Sequence, residues 1–213
     1  MTDADAGPNG AHTGQTAQRL SRGARRAQLV SVAKSVFVSQ GYHATAMDDI
    51  AERAGVSKPV LYQHFSSKLE LYLALLAESA EEMVRLVTGA IDRTTDNSRR
   101  VHGAVDAYFC FVADNDEAYR LIFESDLRGQ PEVTEIVDRA GEQCIAAIAE
   151  SIVVSTGRDP DEARLLASGL VGASQVAARY WLNQIPSVDR SRAIEAVSML
   201  AWRGLAGFPT RPA

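Results

Sequence analysis

Lys58, Val60, Gln63 and His64 bring an ammonium, a small apolar surface, an amide and an imidazole together within one short stretch of the chain. Groups of this kind recognise polar edges by hydrogen bonding; they do not suit covalent attack. The chain also lacks a Gly-rich phosphate loop, a G-x-S-x-G elbow or a paired His/Cys arrangement that would nominate a nucleophile. His12, His43, His64 and His102 show no ligand spacing, so neither metal nor cofactor is expected, nor is an enzyme. The elements that must carry these groups are written in TAMDDIAERAGVSKPVLYQHF, Thr45 to Phe65. Thr45 is expected to cap a helix with Met47, Ile50, Ala51 and Ala54 inward and Asp48, Asp49, Glu52 and Arg53 in water. Gly55 stops that helix, Ser57 is expected to cap the next, Pro59 suits its first turn, and Leu61 with Phe65 forms its inner face. Spacing alone leaves two readings level: a DNA-reading helix-turn-helix, or an ordinary helical hairpin within a core.

The flanks bear on that choice. Leu29, Val32, Ala33, Val36 and Phe37 place one apolar stripe on a helix from Ala24 to Gln40, ended by Gly41. Ser67 is expected to cap a long helix carrying Leu71, Leu75, Leu76, Met83, Leu86 and Val87. From Val36 to Leu76 the glycine after the first helix, the Ile-Ala pair, the Ala-Gly-Val turn, the Leu-Tyr-x-x-Phe helix and the Ser-Lys opening of the fourth helix occur together without a gap. In these motifs the chain resembles the TetR family of transcriptional regulators.

The resemblance implies DNA contacts. Ser57, Lys58, Pro59, Val60 and Gln63 match positions that the family presents to the groove floor, where Lys58 can donate to guanine and Gln63 can pair with adenine. Thr45, Tyr62, His64 and Lys68 match positions that contact the DNA backbone. Val60 stands where a small or hydroxylated residue is usual. Asp48 stands where some members carry a base-reading arginine, and it is taken here as a first-turn charge favoured by the helix dipole.

Charge placement agrees with such a division. The 213-residue chain carries a formal net charge of -5, yet residues 1–68 carry +3 and the remainder -8. Attraction for phosphate is therefore concentrated at one end. Arg22, Arg25 and Arg26 lie ahead of the apolar stripe of the first helix and are expected to form a flexible arm along the DNA backbone or in a minor groove. The first eighteen residues are small and polar, and are expected to be disordered. With no signal peptide and no long apolar run, the expected location is the cytoplasm, without a membrane partner. Cys110 and Cys144 lack a C-x-x-C pattern and are expected to be buried thiols.

Beyond the fourth helix the reading stays helical, over Ser98–Ala113, Glu117–Leu127, Pro131–Thr156, Pro160–Gln184 and Asp189–Gly207. The expected fold is all-α with about nine helices: a tail (1–20), a three-helix helix-turn-helix domain (21–66), a helical bundle for ligand binding and dimerisation (67–207) and a short tail (208–213). The family resemblance implies a homodimer built on the last two helices, with Gly169, Gly172, Ala173, Ala177, Ile194, Val197, Leu200 and Ala201 at the interface. Tyr108, Phe109, Phe111, Tyr119, Phe123, Tyr180 and Trp181 are candidates for a ligand pocket. Some members of similar helical pattern respond to fatty acyl thioesters, so a mainly hydrophobic effector such as a fatty acyl compound is the class the resemblance suggests. The implied partners are double-stranded operator DNA, a second copy of the chain and this effector. The expected function is that of a repressor released from its operator by the effector; the alternatives are an effector-activated binder, an activator, or an interaction protein that does not read DNA.

Overall fold

The computed structural model describes residues 20–114, 127 and 129–204. The expected disordered first eighteen residues, the tail 208–213 and the Glu117–Leu127 helix, Leu127 apart, lie outside the described residues. Among the described residues regular structure is entirely helical: α1 (Arg22–Gln40), α2 (Met47–Arg53), α3 (Lys58–His64), α4 (Lys68–Asp92), α5 (Asn97–Asp114), α6 (Pro131–Thr156), α7 (Pro160–Gln184) and α8 (Arg190–Arg203).

The local chemistry explains the boundaries. Ser21 caps α1 by accepting from the Ala24 amide, and Ser67 caps α4 by accepting from the Glu70 amide at 3.1 Å. Asp159 accepts from the Asp161 and Glu162 amides at the head of α7, and Asp189 does the same for Ser191 and Arg192 at α8. Gly55, between α2 and α3, has φ +66, and Gly157, which closes α6, has φ +67. Both sit in the left-handed region that glycine enters without a steric penalty.

The apolar stripes then decide the packing. Leu29, Ala33, Val36 and Phe37 of α1 are buried with Ile50 and Ala51 of α2, and with Leu61 and Phe65 at α3. Helix α1 packs on both α2 and α4, so α4 joins this small unit to the rest. In the larger body α4 packs against α5 and α6, α6 against α7, and α5 against α7 and α8. Twenty-five residues give α4 a length of ~37 Å. It spans from the edge of the helix-turn-helix to the far end of the bundle.

Candidate nucleic-acid interface

Helix α3 is held by its inner face. Leu61 and Phe65 are fully buried, and the Val56 amide donates to the Ala51 carbonyl at 3.0 Å, which fixes the turn between α2 and α3. What remains outward is the set singled out by sequence: Ser57, Lys58, Pro59 and Gln63 are exposed, Val60 and His64 are half-buried, and Tyr62 is 42% exposed. A surface recess of about 540 Å³ gathers Thr45, Asp48, Lys58, Tyr62, Ser66 and Lys68 between α2, α3 and the start of α4. Groups expected to read bases and groups expected to meet phosphates thus share one concave surface.

Lys58 is not the free cation that spacing suggested. Its ammonium lies 2.8 Å from one carboxylate oxygen of Asp48 and 3.0 Å from the other. This hydrogen bond and the adjacent charge raise the lysine's pKa above its ordinary value. Asp48 does lie in the first turn of α2, as expected, but it is also the ion-pair partner of a groove-facing lysine.

Thr45, Lys68 and the three arginines of the expected arm depart from the expected backbone contacts. The residue capping α2 is Ala46, whose amide donates to Asp49 at 3.3 Å. Thr45 is only 2% exposed, and its hydroxyl donates to the Gly41 carbonyl at 2.8 Å, so it ties down the α1–α2 connection and is withdrawn from solvent. Lys68 turns its ammonium onto the carbonyls of Thr45 (2.8 Å) and Tyr42 (2.9 Å), and over the Tyr42 ring at 4.5 Å. It acts as a clamp between α4 and the segment leading into α2. The arginine arm is likewise helical: Arg22, Arg25 and Arg26 form the first turns of α1, because Ser21 caps that helix earlier than expected. Arg26 lies 4.6 Å over the Phe65 ring, and Arg25 donates to Gln28 at 2.6 Å. Ser57 stands at the N-cap position of α3, but its side chain makes no capping bond.

Sequence reasoning missed two supports of this surface. Gln28 reaches from α1 to the Ala54 carbonyl at 3.4 Å. Phe37, Tyr42 and Tyr72 form a cluster with ring centroids 5.2–5.8 Å apart, against which the α1–α2 connection rests. At the α3–α4 junction the Glu70 carboxylate accepts from the Ser66 amide at 2.7 Å and the Ser66 hydroxyl at 2.6 Å, which lowers its pKa.

In the larger body the aromatic candidates divide. Tyr108, Phe109, Phe111 and Trp181 fill the core, with the Phe109 and Trp181 ring centroids 5.6 Å apart and the Trp181 indole donating to the Val188 carbonyl at 2.7 Å. Tyr180, one residue away, points outward at 57% exposure, which corrects its assignment to a pocket wall. Tyr119 and Phe123 lie outside the described residues. The recesses have other walls. One of about 630 Å³ lies among α4, α6 and α7, beside Met83, Ile145, Val171 and Gln175. Another of about 440 Å³ is lined by Ile91, Val101, Ile148, Leu170, Arg100 and Arg158, among others. Neither includes the ring cluster.

Of the expected interface residues, Gly169, Ala173, Leu200 and Ala201 are exposed and Gly172, Ala177 and Val197 are half-buried. Ile194 is buried in the chain's own core, which corrects its place in that set. The sequence reading did not single out one outward feature of the same helix. Leu165 (72% exposed), Val176 (58%) and Tyr180 join Gly169 and Ala173 at spacings of three and four, giving α7 one long outward stripe.

Comparison with known proteins agrees with this geometry. A family model described as bacterial regulatory proteins of the tetR family matches residues 29–75. A second, described as a tetracyclin repressor-like C-terminal domain, matches residues 97–204. The HTH-type transcriptional activator FasR of Mycolicibacterium smegmatis is 48% identical over 191 residues, 90% of this chain and 87% of its own length. A TetR-like regulator from Rhodococcus sp. RHA1 aligns with TM-score 0.70 at 29% identity, over 89% of this chain and 100% of that one. The regulator FadR from Bacillus subtilis, solved with stearoyl-CoA, aligns with TM-score 0.70 at 18% identity, over 84% and 98%.

Proposed function

The chain belongs to the TetR family of bacterial regulatory proteins, and from that premise we propose a homodimeric regulator whose hold on operator DNA is set by a mainly hydrophobic effector. It is a helix-turn-helix, DNA-binding transcriptional regulator. The observation that carries the proposal is the pinned helix α3, whose buried Leu61 and Phe65 leave Lys58, Pro59, Tyr62 and Gln63 outward for a major groove. In the division of labour we propose, residues 21–66 meet DNA and residues 67–207 take effector and partner. The outward stripe of Leu165, Gly169, Ala173, Val176 and Tyr180 supports α7 as the meeting surface of two copies. A two-fold pair would read two half-sites.

The effector reading rests on the recess walled by Ile91, Val101, Ile148 and Leu170 with Arg100 and Arg158 beside them, a lining that suits an apolar chain ending in an anion. A fatty acyl compound has that chemistry. Coupling would run along α4, which meets the recess at Ile91 and the DNA-facing unit at Lys68. A coupling free energy of about 1–3 kcal/mol would change operator affinity on the order of 5- to 150-fold, and operator would change effector affinity by the same factor. Isothermal titration of palmitoyl-CoA with and without operator tests this reciprocity; equal affinities would sink the mechanism. The DNA face is tested by gel shift: Lys58→Ala and Tyr62→Ala should weaken operator binding while sedimentation still reports the parental oligomer. Retained affinity in both variants refutes the assignment of α3.

The sign of regulation has a second reading. The name of the 48% identical FasR favours activation over the repression expected from sequence. A footprint placed upstream of a promoter whose transcript falls on deletion of the regulator supports activation, and a rising transcript supports repression.

A further inference from the structure

Asp48 stands on the DNA-facing surface, where its one duty to the fold is that of an exposed first-turn charge on α2. It does not cap α2, because the Ala46 amide is taken by Asp49, and its carboxylate is more than half exposed. Among the described residues its partner is Lys58, whose ammonium spans both carboxylate oxygens at 2.8 and 3.0 Å. An exposed pair of this kind adds little to stability, and an acid in this place is repelled by phosphate. The pair does have a pattern: a donor beside an acceptor, presented together at the mouth of the recess formed with Tyr62 and Ser66.

We infer that Asp48 and Lys58 read one G·C base pair jointly, Lys58 donating to guanine O6 and N7 while Asp48 accepts from N4 of the paired cytosine. The major-groove edge of G·C presents two acceptors followed by a donor, the complement of an ammonium beside a carboxylate. An A·T pair in the same place sets the adenine amino group under the ammonium and thymine O4, an acceptor, under the carboxylate. The ammonium then keeps N7 alone, and the carboxylate is left facing an acceptor. The two side chains remain hydrogen-bonded to each other throughout, so neither charge is left without a partner in the groove. The attraction of Lys58 for phosphate is meanwhile offset by Asp48, which shifts binding from general affinity toward selectivity.

The inference rests on the DNA-binding function, and its test separates the two. Binding selection from randomised duplexes is run with the full-length parent, with Asp48→Ala, with Asp48→Asn and with the Asp48→Lys/Lys58→Asp double variant, each also melted thermally. The parent should select a motif containing one strict G·C position. Asp48→Ala should relax that position on the order of 5- to 100-fold, leave the other positions as they were and bind random duplex more tightly. Asp48→Asn should relax the same position, and the double exchange should invert it to C·G. Melting midpoints should stay within a few degrees of the parent's, as an exposed pair requires. Unchanged base preferences, a loss spread evenly over the motif, or variants that melt low or bind no sequence overturn the inference. A parent that selects no motif would overturn the DNA-binding reading as well.

Discussion

The Lys68 ammonium donates to the Thr45 carbonyl at 2.8 Å, joining the first residue of α4 to the segment that leads into α2. With the Tyr42 carbonyl and ring also engaged, this lysine is spent on the protein, although sequence placed it on DNA. Lys68→Met keeps the stem and removes the charge. It should lower stability by about 1–2 kcal/mol, toward the low end for bonds to a charged group because the side chain is only half-buried. Urea denaturation reads the change. Parental stability in this variant would dismiss the clamp.

Glu70 offers a pH-dependent test. Its carboxylate is held below the usual glutamate range by the Ser66 hydroxyl and amide. A group whose pKa is depressed in the folded state adds stability above its unfolded value, near 4.3, and loses it as pH falls through the folded value. Parent and Glu70→Gln should therefore differ in stability at pH 7 and converge as acidification passes below the lowered folded-state value. A gap that persists at low pH would mean that the Ser66 contacts do not depend on the charge.

Tyr108 is buried, and its hydroxyl completes no hydrogen bond although Cys144 and Gln175 stand near it. Burial pushes its pKa far upward, so it stays neutral. Removing an unsatisfied hydroxyl removes a desolvation penalty of about 1–3 kcal/mol. Tyr108→Phe should consequently be as stable as the parent or more so, with a melting midpoint raised by a few degrees. A marked fall in the midpoint would show that the hydroxyl is satisfied in solution.

The two thiols should be slow to react. Cys144 is buried as expected, whereas Cys110 is only half-buried; this partial burial and the Asp106 carboxylate, 3.4 Å away, push the Cys110 thiol up to about 11, and burial also raises Cys144. The thiolate is the reactive form. Alkylation of the folded protein by iodoacetamide at pH 8 should run well below the rate for the urea-unfolded chain, and should accelerate only as pH approaches about 11. Equal rates in both states would contradict this burial.

What the sequence made legible was whatever is written in local chemistry. Pro131–Thr156 and Pro160–Gln184 were expected at the bounds the structure has, because proline, aspartate and glycine punctuate them. Leu61 and Phe65 were read inward from one i, i+4 pair. The readings that failed depended on partners distant in the chain. Lys68 and the Thr45 carbonyl are 23 residues apart, and no spacing rule joins them. Tyr180 and Trp181 are adjacent, so a helix turns them about 100° apart, and one faces solvent while the other closes the core. Ile194 sits among small residues that resemble an interface stripe, yet the packing of α8 on α5 turns it inward. The arginines before Leu29 show no apolar periodicity, which hid a helix start decided by Ser21.

The burial of Trp181 has an optical consequence. Its indole is enclosed and hydrogen-bonded to the Val188 carbonyl, while Trp202, the other tryptophan of the chain, is about half exposed beside the recess of Leu166 and Leu170. Emission from the folded protein therefore contains one component shielded from iodide and one open to it. The quenchable fraction reports on the far end of the bundle alone, without any added dye.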